Sequence, residues 1–514
     1  MRCSTAKSLR RSVPRWSISL NTASDMAGTE KPLKIAIAHY HLRRGGVTRV
    51  IESAREALKE RECELLILSG EEPRPEASSE SVRVIPALNY RKTGNAVIAD
   101  NLAEAFKGEA EKHFGGQPDV WHFHNPTLAK NVLIPTVIRE LAKEKARIVL
   151  QLHDFAEDGR PGNYSAQRSF FDSEEGFETT LYPMAKQIHY ATINCRDRDY
   201  LRAAGVPDTN LHVIPNAITP LNVTTIPKKR PFSQDRLFAL YPTRGIRRKN
   251  LGELLLLALI FGDRIDFATT LSPENPEWNK VHDFWRSAVQ ELEVPVTLGI
   301  ADTGQYVFAD LVGWSDFIVT TSIAEGFGLA FLEPWLANRC VFGRDLPDIT
   351  RDFSNNGLKI ANLYPRIGFP MEWLEEKILY SEVESMLRRS YLAYDCHMPR
   401  NAVMQTWKAW VGNGRIDFGV LNEELQMMVL RKIKKDPSLL DHMRVPTLSL
   451  SSESEIRAAR QVVETVYSLD HYGERLESLY EKVLSSATSK VKHLATNKVL
   501  KQFLNPARLN LLRN

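Results

Sequence analysis

The sequence predicts an α/β protein built from two Rossmann-like, parallel-sheet domains, with a helical insertion in its C-terminal part. Three observations carry that prediction. Short apolar, β-branched runs alternate with helix-period segments from residue 33 to about 350, the pattern of βα units with buried parallel strands. Two strand-to-helix turns are rich in glycine, at Gly45-Gly46 and at Gly326-Phe327-Gly328, where a ligand can approach the backbone closely. A proline-containing basic stretch, Pro220 to Ser233, separates the two sets of βα units and reads as a linker.

Composition bounds the function. At 514 residues the chain is too long for one core and calls for two domains plus additions. An apolar fraction of 43% and a charged fraction of 25% are those of an ordinary globular protein. A net charge of +4 gives no nucleic-acid footprint. Cys3, Cys63, Cys195, Cys340 and Cys396 are scattered, which is neither a disulfide framework nor a zinc site and suits a reducing cytoplasm. The apolar run Leu254 to Phe261 is far short of the roughly 20 residues that span a bilayer. Residues 1–30 carry Arg2, Lys7, Arg10, Arg11 and Arg15 among serines before the first acid, Asp25. They are expected to be a disordered leader or an over-extended start, with Met26 just before the first strand.

The first unit is the strand Leu33 to Ala38, the loop His41 to Val47 with its Gly-Gly pair, and a helix through Val50, Ala54 and Leu58. Strands follow at Glu64 to Leu68 and Val82 to Ile85, then a helix from about Ala96 to Phe114. The strand Asp119 to His124 ends in polar residues, and His122 and His124 are expected to be structural. The strand Arg147 to Leu152 ends in His153-Asp154, placed to reach a ligand at a carboxyl edge. Residues 155–183 form a long polar excursion, expected to be a functional or mobile loop. Ile188 to Asn194 is a strand and Asp197-Arg198-Asp199 lies in the next helix. There the two aspartates point to different faces, so no metal site is expected. Leu211 to Ile218, with Pro215-Asn216, closes the first domain.

The second domain opens with the strand Leu237 to Pro242, followed by Arg244, Arg247, Arg248 and Lys249 at its tip and a helix from Glu253 to Phe261. Cations clustered there fit a diphosphate clamp, the guanidinium offering a planar fork and the ammonium a point charge. Arg247 and Arg248 are extra charges with no assigned role. Strands at Phe267 to Leu271 and Val296 to Leu298 continue the alternation, and a helix from Phe308 to Trp314 leads to the strand Phe317 to Thr321. Glu325 is read at that strand's end and Glu333 one turn into a helix starting near Leu329. The free amides at that helix start favour an anion.

Glu325-Gly326-Phe327-Gly328-Leu329 with Glu333 resembles the E-G-F-G-L…E motif of the retaining glycosyltransferases of family 4, which have the GT-B fold. The resemblance covers roughly residues 33–350 and 463–485. It is supported in chain order by Gly45 and Gly46, His153-Asp154, Val213-Ile214-Pro215-Asn216, and Arg244 with Lys249. It implies two Rossmann-like domains facing a central cleft, and transfer of a sugar with retention from a nucleotide-diphosphate donor. Arg244 and Lys249 would stabilise the leaving diphosphate, with amides near Gly326 to Gly328. Glu325 and His153 would contact the transferred sugar and Glu333 the ribose, while Gly45, Gly46, Phe327, Asn216 and Asp154 would line the ligand. No cofactor and no metal are expected, because fixed cations replace the metal. The partners are a nucleotide sugar and an unidentified acceptor, with peripheral membrane contact if that acceptor is a lipid.

Residues 31–220 are assigned to the first domain, 221–234 to the linker and 235–365 to the second domain. Residues 366–462 are the helical insertion, and 463–514 a helix crossing back to the first domain plus a basic, frayed tail. Two other readings remain: a GT-B relative that epimerises or phosphorolyses sugars, and a non-catalytic scaffold. Product analysis with and without acceptor separates the first, and donor hydrolysis excludes the second.

Overall fold

The computed structural model describes residues 31–75, 80–171, 173–220, 230 and 232–513. The leader and most of the expected linker lie outside them. In the first domain β1 (Leu33–His39), β2 (Cys63–Ser69), β3 (Val82–Val84), β4 (Val120–His124), β5 (Ile148–Leu152), β7 (Ile188–Thr192) and β8 (Leu211–Val213) form one parallel sheet. Its order is β3-β2-β1-β4-β5-β7-β8. In the second, β9 (Leu237–Arg244), β10 (Ile265–Leu271), β11 (Val296–Thr297), β12 (Phe317–Thr320), β13 (Cys340–Arg344) and β14 (Leu363–Tyr364) are ordered β11-β10-β9-β12-β13-β14. Each sheet reverses its winding once, between β1 and β4 and between β9 and β12. A crevice opens at the carboxyl ends at such a point, and the residues singled out above cluster at these two crevices.

The strands read as near-continuous apolar runs because helices cover both faces. In the first domain these are α1 (Gly46–Leu58), α2 (Ala96–Phe114), α3 (Ile134–Lys143), α4 (Pro161–Phe170), α5 (Glu174–Glu178) and α6 (Cys195–Ala204). In the second they are α7 (Leu251–Phe261), α8 (Asn279–Leu292), α9 (Phe308–Trp314), α10 (Glu333–Leu336) and α11 (Pro347–Asn355). Helix α7 is apolar around its circumference, and Leu254, Leu255, Leu256 and Leu257 are all fully buried. That requires a cover on its outer side, and the insertion supplies it.

The insertion contributes α12 (Glu376–Ala393), α13 (Ala402–Trp410), α14 (Glu423–Lys435) and α15 (Glu453–Val466). It also holds a small antiparallel sheet of β15 (Gly368–Pro370), β17 (Arg415–Asp417) and β16 (Val411–Gly412). Helix α14 packs on α7, and one hydrophobic core runs through the second domain and the insertion together. A buried ionic network crosses the same seam. Arg344 of β13 bonds Glu253 of α7 at 2.9 Å and Asp417 of β17 at 2.7 Å, and Tyr364 donates to Glu253 at 2.8 Å. The insertion is thus a layer of the second domain.

Helix α16 (Leu469–Ser485) returns to the first domain and packs along α1. Gly473 permits this close approach, since a Cβ there would lie 2.9 Å from the Ala57 carbonyl and 2.6 Å from Nε of Arg61.

Four local expectations are corrected. The excursion 155–183 is no long loop: it contains α4, α5 and β6 (Tyr182–Met184), with Phe177 and Tyr182 as core anchors. The tail after Lys490 is not frayed, because β18 (Lys492–Leu494) pairs with β6 and α17 (Thr496–Phe503) packs on α6. Strand β12 ends at Thr320, so Glu325 stands on the loop beyond it rather than at its tip. The helix expected from Leu329 is a single 3₁₀ turn, Leu329–Phe331, followed by the four-residue α10, interrupted by Leu332 and with Pro334 in its first turn. So short a helix offers no aligned dipole for an anion. No helix among the described residues is long and apolar enough to cross a membrane.

Candidate active site

On the first-domain side the strand tips present histidines. His153 follows β5, and its Nε2 lies 2.8 Å from Nδ1 of His124 at the end of β4, the two rings stacked at 5.1 Å. His122 stacks on His124 at 4.6 Å, and its Nδ1 meets the Tyr480 hydroxyl of α16 at 2.9 Å. His39, ending β1, points Nδ1 at the His124 carbonyl, 3.3 Å away. Burial disfavours the imidazolium, and it lowers His153 and His39 to about 3 and His122 to about 4. All three rings are neutral at physiological pH. The main chain at His153-Asp154 is set by Asn125, whose side-chain oxygen accepts both amides at 2.7 and 3.0 Å. Asn125 itself has φ 53, a conformation asparagine tolerates. Asp154 pairs with Arg160 at 2.6 Å.

On the second-domain side the charges gather. The loop after β9 makes a 3₁₀ turn, Arg247–Lys249, closed by Asn250 at φ 53. The loop after β12 is tied to it: Ile323 N–H donates to the Arg248 carbonyl at 3.0 Å and the Thr321 hydroxyl to the Lys249 carbonyl at 3.0 Å. This brings Glu325 against Lys249, an ion pair, and against Arg248 at 3.0 Å; Arg248 also donates to the Ala324 carbonyl at 2.7 Å. Burial alone would raise the Glu325 carboxyl. Lys249 and Arg248 together more than reverse that and hold it at about 2. Gly328 takes φ 91, and a Cβ there would meet Ile349 at 2.8 Å, so this turn requires glycine.

These two tips face each other across a cavity of about 270 Å³ whose walls include His153, Asp154, Arg248, Glu325, Gly326 and Trp278. Asn194, beginning α6, donates to the Gly326 carbonyl at 2.9 Å and pins the second-domain loop to the first domain. Phe327 is buried against Phe353 and Tyr467.

The remaining expected residues lie elsewhere. Arg244 bonds Glu274 at 2.8 Å, and the cation that shares Glu325 with Lys249 is Arg248, which the sequence presents as a spare charge. Glu333 pairs with Arg49 of α1 at 3.0 Å, three residues beyond Gly46. That ion pair borders a separate cavity of about 610 Å³ that also has Phe308 in its wall. Burial raises the Glu333 carboxyl, and Arg49 opposes the shift. The Asn216 side-chain oxygen is buried without a partner among the described residues. Asp197 pairs with Arg196 inside α6, and Asp199 with Arg198 and Arg202. No group of three or more metal-ligating side chains gathers among the described residues.

Sequence reasoning misses four contributors. His124 reads as a structural histidine yet touches His153. Asn125 has a readable signal, an Asn-Pro turn just after a strand. Arg248 has one in the basic run. Arg513, which lines the cavity and pairs with Asp158, 355 residues away in sequence, has none.

Comparison with known proteins shows what the chain is similar to. The family model Glycosyltransferase Family 4 matches residues 44–220. The chain is 27% identical over 416 residues to a mannosylglucosyl-3-phosphoglycerate synthase from Petrotoga mobilis, covering 76% of this chain and 79% of that protein. Its fold is similar to the crystal structure of a glycosyltransferase from Rickettsia africae, with a TM-score of 0.54 and 13% identity, across 89% of this chain and 100% of that one.

Proposed function

We propose that this chain, a glycosyltransferase of family 4 with the GT-B fold, transfers a sugar with retention from a nucleoside-diphosphate donor to a small anionic glycoside. The observation that carries this reading is the placement, across one cavity, of the cation-rich loop at Arg248 and Lys249 opposite the uncharged ring of His153. A diphosphate leaving group gains charge as the glycosidic bond breaks. Fixed cations in a partly buried site stabilise that charge without reorganising. Lys249 and Arg248 supply them, and Arg244 joins by leaving its exposed partner Glu274. The sugar hydroxyls meet the other side, where a neutral His153, its Nε2 held by His124, offers its remaining ring nitrogen without competing for the phosphate.

Glu325 is committed to two cations and stays ionised, which supports a role in orienting the loop and the sugar rather than in forming a covalent sugar ester. The reaction then runs on one face. The bond from the anomeric carbon to the diphosphate oxygen breaks as the acceptor hydroxyl oxygen bonds that carbon, and the hydroxyl proton passes to the departing phosphate oxygen. Glu333, at the second cavity, takes the ribose hydroxyls after exchanging Arg49 for them. The Petrotoga relative is named for a product containing 3-phosphoglycerate, an anion. Five arginines, Arg160, Arg196, Arg247, Arg248 and Arg513, against four carboxylates, Asp154, Asp158, Asp197 and Glu325, leave the lining of the catalytic cavity net positive, which supports an anionic acceptor. With fixed cations in place, no divalent metal is required.

The test is a panel of nucleotide sugars incubated with the enzyme and glucosyl-3-phosphoglycerate, followed by NMR of the product. Release of nucleoside diphosphate with a retained anomeric configuration is expected. An inverted product, or no turnover of any nucleotide sugar, would contradict the reading.

A further inference from the structure

Beside the catalytic cavity, and distinct from the cavity at Glu333, lies one of about 510 Å³ that shares Asp158, Gly159, Arg247 and Arg513 with it as a common wall. Its other sides come from helix α12 of the insertion and the segment after α17. That segment is held firmly. Thr406 donates to the Pro506 carbonyl at 2.7 Å, Trp410 to that of Leu509 at 2.9 Å, and Arg247 to that of Leu511 at 3.0 Å. The insertion, the donor-side loop and the first-domain residue Asp158 are therefore joined around this one space.

Its chemistry is that of a ligand site rather than a packing defect. The volume falls within the range of small-molecule pockets, roughly 300–1,000 Å³. Glu157 lines it and is 1% exposed. One of its oxygens accepts from the Tyr182 hydroxyl at 3.0 Å, while the other is buried with no hydrogen-bond partner among the described residues. A buried polar atom left unpaired is costly, and a ligand hydroxyl would satisfy it. Burial also raises this carboxyl to about 7, so it can serve as donor or acceptor near neutrality. Arg389 of α12 lines the same cavity and is exposed. Arg247, Arg508 and Arg513 are committed to Glu423, Asp348 and Asp158, whereas Arg389 has no ion pair among the described residues. Tyr391, Tyr394 and Phe503 add aromatic surface, on which sugar rings pack.

We propose that this cavity is the acceptor site, holding a small glycoside that bears an anionic group, with its hydroxyls at Glu157 and its charge at Arg389. The attacking hydroxyl reaches the donor past the Asp158–Arg513 pair. The assignment rests on the sugar-transfer reading of the neighbouring cavity.

Two variants test it in the full chain. Arg389→Ala removes the cation assigned to the acceptor's charge. Ala393→Trp fills the cavity from an exposed position on α12, so the core is not disturbed. Calorimetric titration uses glucosyl-3-phosphoglycerate as acceptor probe and UDP and GDP as donor probes. Both variants are expected to weaken the acceptor probe at least tenfold while the nucleoside diphosphate that binds wild type keeps its Kd within twofold. Thermal melts and that nucleotide binding report that the variants are folded. Wild-type affinity for the acceptor probe in Ala393→Trp, or no binding of it by wild type, would overturn the assignment. Binding of the acceptor probe with no binding of either nucleotide would keep the cavity and overturn the transferase reading instead.

Discussion

The two strand-tip regions that face the cleft are built from opposite materials. The first-domain tip is a stack of buried, uncharged imidazoles, His122, His124 and His153, with His39 beside them. The second-domain tip is an ion cluster, Arg248, Lys249 and Glu325. His153, the member of the stack that lines the cavity, can exchange a hydrogen bond with a neutral sugar, and the ion cluster can answer a change in charge. In the proposed reaction both are used, the ion cluster by the leaving group and His153 by the sugar; the other first-domain charges on the cavity wall are held in the ion pairs Asp154–Arg160, Asp158–Arg513 and Asp197–Arg196.

The largest expected effect is on the charged side. Lys249→Met is expected to lower kcat/KM by about 10²- to 10³-fold, as loss of one preorganised transition-state donor does. It also leaves Glu325 to Arg248 alone. An unchanged kcat/KM would break the contrast at its stronger end. Next comes Glu333→Gln, expected to weaken nucleoside-diphosphate binding by roughly 1.5–3 kcal/mol, about 10- to 100-fold. Glu325→Gln is expected to leave that binding intact or tighter, since it releases Lys249 for phosphate, while lowering turnover. Equal weakening in both variants would show that the two glutamates do not divide the sugar and the nucleotide between them.

The neutral side predicts a pH signature. His153, His39 and His122 have folded-state pKa values of about 3, 3 and 4, below the ordinary 6.5. Between those values the unfolded chain binds more protons than the native one, so stability rises with pH across that window. It is fully present above about 6.5 and is lost as pH falls towards 3. Glu157 runs the other way: its raised carboxyl favours the native state at low pH, and that contribution fades as pH rises from 4.5 through about 7. Urea melts from pH 4 to 8 are expected to show reduced acid sensitivity in His122→Asn and a gain above pH 7 in Glu157→Gln. Parallel curves for wild type and both variants would contradict the buried-neutral account. The smallest effect, none at all, is expected from a strong chelator. Activity lost to EDTA and restored by manganese or magnesium would move charge neutralisation from Lys249 and Arg248 to a metal.

Much of this is legible in the sequence, for identifiable reasons. Parallel strands buried on both faces leave long apolar runs, so the two sheets and the strand ends that lead to His153 and Lys249 follow from local pattern, whereas Glu325 lies on a loop beyond its strand. What sequence cannot give are contacts set by tertiary packing. Arg248 displaces Arg244 beside Glu325 because the loop after β12 bonds the backbone of Arg248. His124 becomes His153's partner only through the parallel register of β4 and β5, which sets His124 opposite Gln151. The insertion reads as a separate body because its helices are amphipathic, yet their apolar faces complete the cover of α7. The segment after Lys490 reads as frayed because its charges hide the buried Leu494, Val499, Leu500 and Leu511.

The most direct test of the division between the two tips is calorimetric titration of a nucleoside diphosphate into wild type, Lys249→Met and His153→Ala, beside steady-state turnover of each. The account predicts that Lys249→Met loses most of the binding, whereas His153→Ala binds the diphosphate as wild type does and turns over at least tenfold more slowly. Diphosphate binding that survives in Lys249→Met, or that falls in His153→Ala, would contradict it.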